Sequence, residues 1–260
     1  MVIRSIREHV ATHNWFAVGI DLAIVVAGVF LGTQVSNLNE ERIEGEQSAS
    51  YRARLIDELD FNGRQYRQQI AYYRQVREHG LAALSGLKRT TSQSPQDFLI
   101  DAYQTSQVDS NPAKTFIYDE MVSAGLVDRL GDETIENVAS DYYLTLTANV
   151  ELFNNVFPYR TIIREIIPYA VQEEIRTRCG DRFVFHEGRA IGVRLVEPCN
   201  ITLDAAAVAQ GDAIVRGEPR LERELTRYLA SIDEKLTILK AHLRLTADFR
   251  NKLIAAARAG

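Results

Sequence analysis

The chain has 260 residues, with 30 Lys and Arg against 35 Asp and Glu and a formal net charge of -5. A mildly acidic balance excludes the basic footprint of a nucleic-acid binder, so no nucleic acid is expected as a partner. A mean hydropathy of -0.17 excludes a polytopic membrane protein, 6 prolines and 15 glycines argue against a long disordered chain, and 2 cysteines exclude a disulfide-dense scaffold.

Residues 1–15 read as a short cytoplasmic N-terminus. Phe16 to Val35 (FAVGIDLAIVVAGVFLGTQV) follows, an apolar run whose one formal charge is Asp21. As a helix it rises about 30 Å, enough to cross the hydrocarbon core of a bilayer. Trp15 stands at its edge, where an amphipathic ring suits the headgroup level. Arg4 and Arg7 precede the run, while Glu40, Glu41, Glu44 and Glu46 follow it. Cations are retained inside, so the N-terminus is expected in the cytoplasm and the bulk of the chain outside. A cleaved signal peptide is the competing reading. The run is long for that role, and Thr33 to Asn37 offers no small-residue cleavage site.

Asp21 is costly in hydrocarbon unless it is paired, neutralised or close to water. At about 100° per residue, Gly28 and Gly32 each lie about 20° from it around the helix. Gly28 and Gly32 form a GxxxG pair, which lets helix backbones approach closely. Asp21, Gly28 and Gly32 therefore share one stripe, as expected for a helix that packs on a partner helix or links to an ion. Asp21 reaching the headgroup boundary with no further role is the plainer alternative.

Residues 36–50 read as a juxtamembrane helix or linker, and 51–260 as an extracytoplasmic helical domain. Tyr51, Leu55, Leu59, Tyr66, Ile70, Tyr73, Leu81, Leu84 and Leu87 recur at helical spacing. Gly63 and Gly80 weaken that helix without ending it. Asp57, Glu58 and Asp60 on it read as a solvated acidic face. A loop runs from Lys88 to Pro95, then a short helix covers Gln96 to about Gln107. Asp109 to Pro112 is a turn, and a helix from about Ala113 to Ala124 stops at Gly125. Asp132 caps a longer helix whose face carries Ile135, Val138, Tyr142, Leu146, Val150 and Phe153. Pro158 breaks or kinks it, and Ile162, Ile163, Ile166, Ile167 and Val171 continue the helical pattern to Cys179. The paired tyrosines Tyr72–Tyr73 and Tyr142–Tyr143 read as core or interface aromatics.

Between about 180 and 198 the pattern changes. Phe183-Val184-Phe185 and Ile191 to Val196 flank His186-Glu187-Gly188-Arg189, a β-hairpin with a glycine turn. Cys179 and Cys199 bracket it. Outside the cytoplasm they are expected to form a disulfide, worth about 3 kcal/mol for a loop of roughly 20 residues. Two free buried thiols are the alternative. Pro219 to Ala257 is an amphipathic helix with Leu221, Leu225, Tyr228, Ile232, Leu236, Leu239 and Leu243 in its buried row. It is expected to pack antiparallel to the first long helix. The fold class is thus mainly α: a transmembrane helix plus a helical bundle carrying a small, disulfide-bracketed hairpin.

No phosphate-binding glycine loop, HExxH, GxSxG or kinase motif occurs. His9, His13, His79, His186 and His242 are scattered, so no metal ligand set, cofactor or catalytic residue is expected. Asn200-Ile201-Thr202 matches a glycosylation sequon and carries no weight.

Three stretches, IDLAIVVAGVFLGTQVSNLNEER, YRARLIDELDFN and FIYDEMVSAGLVDRLGDETIENVASDYY, together resemble an uncharacterised bacterial family of small proteins with an N-terminal membrane anchor and a helical domain. The resemblance covers the span and about the first half of the rest; the bracketed hairpin is not part of it. It implies a bacterial inner-membrane protein and nothing catalytic. The expected function is non-enzymatic, through contacts of the span and the periplasmic domain with the bilayer and with a second copy or another membrane protein. An accessory subunit of an ion-driven motor or transporter using Asp21 is the first alternative. A periplasmic ligand-sensing bundle is the next.

Overall fold

The structure, a computed structural model, describes residues 15–148 and 157–259. The chain divides between Ala53 and Arg54 into two compact units. The first is formed by α1, which runs Trp15–Leu87 and also supplies residues to the second unit. Residues 36–50 are thus helix, not linker, because the polar stretch holds one glycine and no proline.

The second unit is a helical bundle around the later half of α1. α2 (Pro95–Thr105) begins where Ser94 accepts a bond from the Asp97 amide at 3.1 Å and Pro95 takes the first turn. α3 (Phe116–Ala124) ends at Gly125, whose left-handed φ of 67° favours glycine. A 3-10 turn, Val127–Arg129, leads to α4 (Glu133–Ala148). Asp132 caps α4 as expected, accepting from the Ile135 amide at 3.1 Å. The expected continuation of its apolar face to Val150 and Phe153 lies outside the described residues.

Of the expected kink or break at Pro158 the structure has a break: Phe157 is extended and Pro158 starts a new helix, α5 (Pro158–Ile166). The expected continuation to Cys179 is corrected. Pro168 forces Ile167 into an extended conformation, with ψ 130°, and α6 (Tyr169–Cys179) starts afresh. The helix onsets near Gln96 and Ala113 shift to Pro95 and Phe116, because Asn111 to Lys114 is held as a loop by α1 side chains.

β1 (Arg182–His186) and β2 (Arg189–Arg194) pair antiparallel, with Phe183 opposite Val193 and Val184 opposite Gly192. Glu187 and Gly188 turn with φ of 49° and 75°, the handedness that suits a twisted two-residue hairpin turn. The expected bridge is present: Cys179 and Cys199 are joined, with Cα atoms 5.4 Å apart. A helix not anticipated from the sequence, α7 (Ala205–Gly217), follows, capped by Asp204 through the Ala207 amide at 2.8 Å.

α8 (Leu221–Ala259) runs antiparallel to the later half of α1. Lys88 pairs with Glu222 at 3.4 Å, Arg77 with Asp233 at 2.6 Å and Asp60 with Arg250 at 2.6 Å, so low numbers on one helix meet high numbers on the other. Gly80 permits the approach, since a Cβ there would lie 2.7 Å from Leu229 Cδ2. Leu221, Leu225, Tyr228, Ile232, Leu236 and Leu239 are buried as the periodicity requires, while Leu243 is half-buried.

The core is unusually phenolic. Tyr72, Tyr73, Tyr103 and Tyr159 are fully buried beside Phe98, Phe249, Leu55 and Leu59. A buried phenol needs a hydrogen-bond partner. Tyr73 donates to the Asp109 carbonyl at 2.7 Å, Tyr159 to the Ala102 carbonyl at 2.8 Å and Tyr72 to Asp181 at 3.0 Å. Tyr142 and Tyr143 are buried too, as expected of core aromatics.

Candidate functional site

One helix among the described residues is long and apolar enough to cross a membrane, judged by length and composition. From Ile20 to Val35 its large apolar side chains are exposed, Leu22, Ile24, Val29 and Leu31 by more than 60%. Asp21 is half-exposed within that band. Nothing lies within 4 Å of a Cβ built on Gly28 or Gly32, so both glycines present open backbone. Helical geometry sets Asp21, Gly28 and Gly32 on one stripe.

The second unit concentrates its polar chemistry on α1. Gln65 Nε2 donates to the carbonyls of Asn111 and Pro112 at 2.9 Å, and Gln69 Nε2 donates to the Asn111 carbonyl at 2.8 Å. Asn62 accepts from the Lys114 amide at 2.8 Å and donates to the Lys114 carbonyl at 2.9 Å. A neighbouring row, Gln68 and Gln75, donates to the Val193 and Leu195 carbonyls at 2.9 and 3.4 Å. These amides replace backbone partners for a loop and a strand that would otherwise be buried unpaired. The sequence signal was present as glutamines at helical spacing, but glutamine on a helix ordinarily faces water.

The acidic face is corrected at one position. Asp57 is exposed and Asp60 pairs with Arg250, but Glu58 is only 6% exposed. Its two oxygens accept from the Ile117 amide at 3.0 Å and from Tyr143 Oη at 2.9 Å. Burial pushes its carboxyl above the usual range, partly offset by those two bonds. Thr115 gives α3 no side-chain cap, so Glu58 caps it from another element.

Further along, Lys235 and Asp109 sit buried near Tyr73. Lys235 Nζ donates to Tyr73 Oη at 3.4 Å, and burial lowers its pKa to about 8. Asp109 Oδ1 accepts from Asn111 Nδ2 at 2.6 Å, while burial raises its carboxyl. His79 lies between Asp101, at 2.6 Å, and Glu197, at 3.0 Å but outside hydrogen-bond alignment, tying α2 and the cysteine loop to α1. Arg164 stacks over Tyr103 and donates to Gln107 Oε1 at 2.8 Å. Each group has an internal structural partner. An open depression of about 460 Å³ lies between Leu81, Ala82, Ser85, Thr91, Ser92 and Gln93. Among the described residues no group of three His, Cys, Asp or Glu is placed to hold a metal ion.

The hairpin places two exposed aromatic side chains side by side. Phe183 and Phe185 are 68% and 63% exposed, with ring centroids 6.2 Å apart. Comparison with family models, curated proteins and solved structures finds no match to this chain.

Proposed function

We propose that this chain is a non-enzymatic, single-pass protein of a bacterial inner membrane, with its N-terminus cytoplasmic and its helical domain periplasmic. It works through contacts of the span and the domain with a second copy or another membrane protein. The carrying observation is the exposed apolar helix from Ile20 to Val35, a surface that water does not tolerate and that lipid covers. The Cys179–Cys199 bridge agrees with an oxidising compartment. The open stripe of Asp21, Gly28 and Gly32 is the helix-packing surface.

The test is single cysteines placed along 19–35 in a Cys179→Ser/Cys199→Ser background, oxidised in native membranes. Crosslinks recurring on the Gly28 and Gly32 face support the reading. A chain released from membranes by alkaline carbonate, or a span that crosslinks to nothing, overturns it. Asp21, a carboxylate inside the apolar run, favours one second reading: an accessory subunit of an ion-driven complex. Full function of an Asp21→Asn variant would remove that reading and leave the first intact.

A further inference from the structure

The hairpin presents two edges, and only one is covered. β2 lies against α1, where Gln68 donates to the Val193 carbonyl and Gln75 both donates to the Leu195 carbonyl and accepts from its amide. Gly192 brings the strand in closely, since a Cβ there would stand 2.9 Å from Gln68 Cγ. β1 pairs with β2 on one side only, and the two form the whole sheet. The outward backbone groups of Phe183 and Phe185 meet no hydrogen-bond partner among the described residues. An open strand edge flanked by aromatic side chains is a template for another strand, and proteins ordinarily blunt such edges with charge or proline. This edge has neither at its centre, and the disulfide at its base holds it in place.

The side chains state what chemistry fits. Phe183 and Phe185 stand on one face of β1. On the opposite face the hairpin is cationic: Arg182 with its cross-strand partner Arg194, and Arg189, with Glu187 as the hairpin's one acid. Arg182 is engaged by the Thr177 and Asp181 carbonyls at 2.7 and 3.1 Å. Arg189 stacks 5.7 Å from the Phe61 ring, and neither it nor Arg194 has a carboxylate within ion-pair reach among the described residues. A second copy paired antiparallel about Val184 would set Arg182 opposite His186, with no acid supplied to the free arginines.

We propose that the outer edge of β1 is a docking strand for an extended segment of a partner protein in which acidic and apolar residues alternate. Main-chain bonds along Phe183 to Phe185 supply the pairing, the two phenylalanines take the apolar side chains, and Arg189 and Arg194 take the carboxylates. This rests on the reading of the chain as an interaction protein and names the surface and the partner's chemistry. A five-residue strand gives a transient contact, strengthened when both proteins share one bilayer.

The test uses the full chain in detergent micelles and three fluorescent synthetic peptides: alternating Glu and Val, alternating Lys and Val, and the Glu–Val peptide N-methylated at alternate residues. Anisotropy is expected to show saturable binding of the Glu–Val peptide at least about tenfold tighter than the Lys–Val peptide, and loss of binding on N-methylation. Phe183→Ser/Phe185→Ser weakens it by about tenfold or more, and Arg194→Glu turns the preference toward the Lys–Val peptide. Circular dichroism and the absence of free thiol show that each variant is folded. Failure of both peptides, or equal binding of both that survives N-methylation, overturns the proposal. So does a dimer that Phe183→Ser/Phe185→Ser converts to monomer while the peptides stay unbound, which would make a second copy the occupant. Quenching of a Phe185→Trp variant by brominated lipids in a Trp15→Phe background would make lipid the occupant and overturn it equally. Span crosslinking that persists through any of these results leaves the membrane-anchor reading standing.

Discussion

Glu58 joins α1 to both α3 and α4. It is desolvated, yet two donors converge on it, the Ile117 amide and the Tyr143 hydroxyl. Removing an acceptor that two buried donors share costs more than the bonds contribute, because both donors are then left dry. Glu58→Leu is therefore expected to destabilise the domain by about 3 kcal/mol in urea titrations. Glu58→Gln keeps an acceptor for Ile117 and an amide donor toward Tyr143, and is expected to cost under about 1 kcal/mol. Burial raises the folded pKa of Glu58 above its unfolded value, so its contribution to stability is fully present at pH below the unfolded pKa and is lost as pH rises through the folded one. The gap between wild type and Glu58→Gln should therefore move in favour of the wild type on acidification. Lys235 behaves oppositely. Its folded pKa of about 8 lies below the 10.5 of the free group, so stability rises between those two values as pH increases. Lys235→Met should flatten that rise, a change on the order of 3 kcal/mol across the window in wild type. An unchanged slope in the variant would show that another group titrates there.

At the scale of elements, local chemistry reads well where one residue decides the outcome. Ser94 followed by Pro95 starts α2, Asp132 starts α4, Gly125 stops α3 and Gly188 turns the hairpin. Each acts through its own backbone neighbours, so the sequence contains the whole cause. Ser94→Ala should cost about 1 kcal/mol in chemical denaturation, since the Asp97 amide loses its acceptor, and Ser94→Thr, which keeps that acceptor and the donor to Asp97 Oδ2, should restore most of it. The elements that were not legible depend on distant partners. Glu58 looks like its neighbours Asp57 and Asp60, and only the arrival of α3 and Tyr143 from elsewhere buries it. The Gln65 and Gln69 amides acquire meaning only when the loop at Asn111 is laid across α1. α7 was missed although Asp204 precedes Ala205-Ala206-Ala207, because its short apolar face is completed by Leu99 and Pro168, which approach Gly211 within 3.0 and 3.1 Å of a Cβ position. The break at Pro168 was legible in principle, but the isoleucine periodicity on both sides of it masked the proline's effect on Ile167.

At the scale of the whole molecule, the two units differ in what they expose. The second buries its leucines and phenols and pairs Glu58 and the Gln65 and Gln69 amides internally, whereas the first exposes its large apolar side chains from Ile20 to Val35. The same chain therefore carries a bundle with a buried core and an exposed apolar helix long enough to cross a membrane. Substitutions in the span should then act on association and not on the fold of the bundle. Gly28 and Gly32 have open space beside them, so a larger side chain meets nothing within the chain itself. In a membrane it would fill the groove through which a second helix approaches. Gly28→Leu/Gly32→Leu is expected to reduce span crosslinking at least about fivefold, equivalent to about 1 kcal/mol of helix–helix contact. Thermal unfolding of the bundle, followed by its tyrosine signal, should stay within the error of the wild type. Placing the same pair of leucines at Ala23 and Ala27, which lie about 160° and 120° round the helix from Asp21, controls for added bulk. Equal loss at both pairs would mean that bulk and not the stripe governs association. No loss at either would mean that the partner meets the domain alone, and the open glycines would then be a property of the helix without a part in assembly.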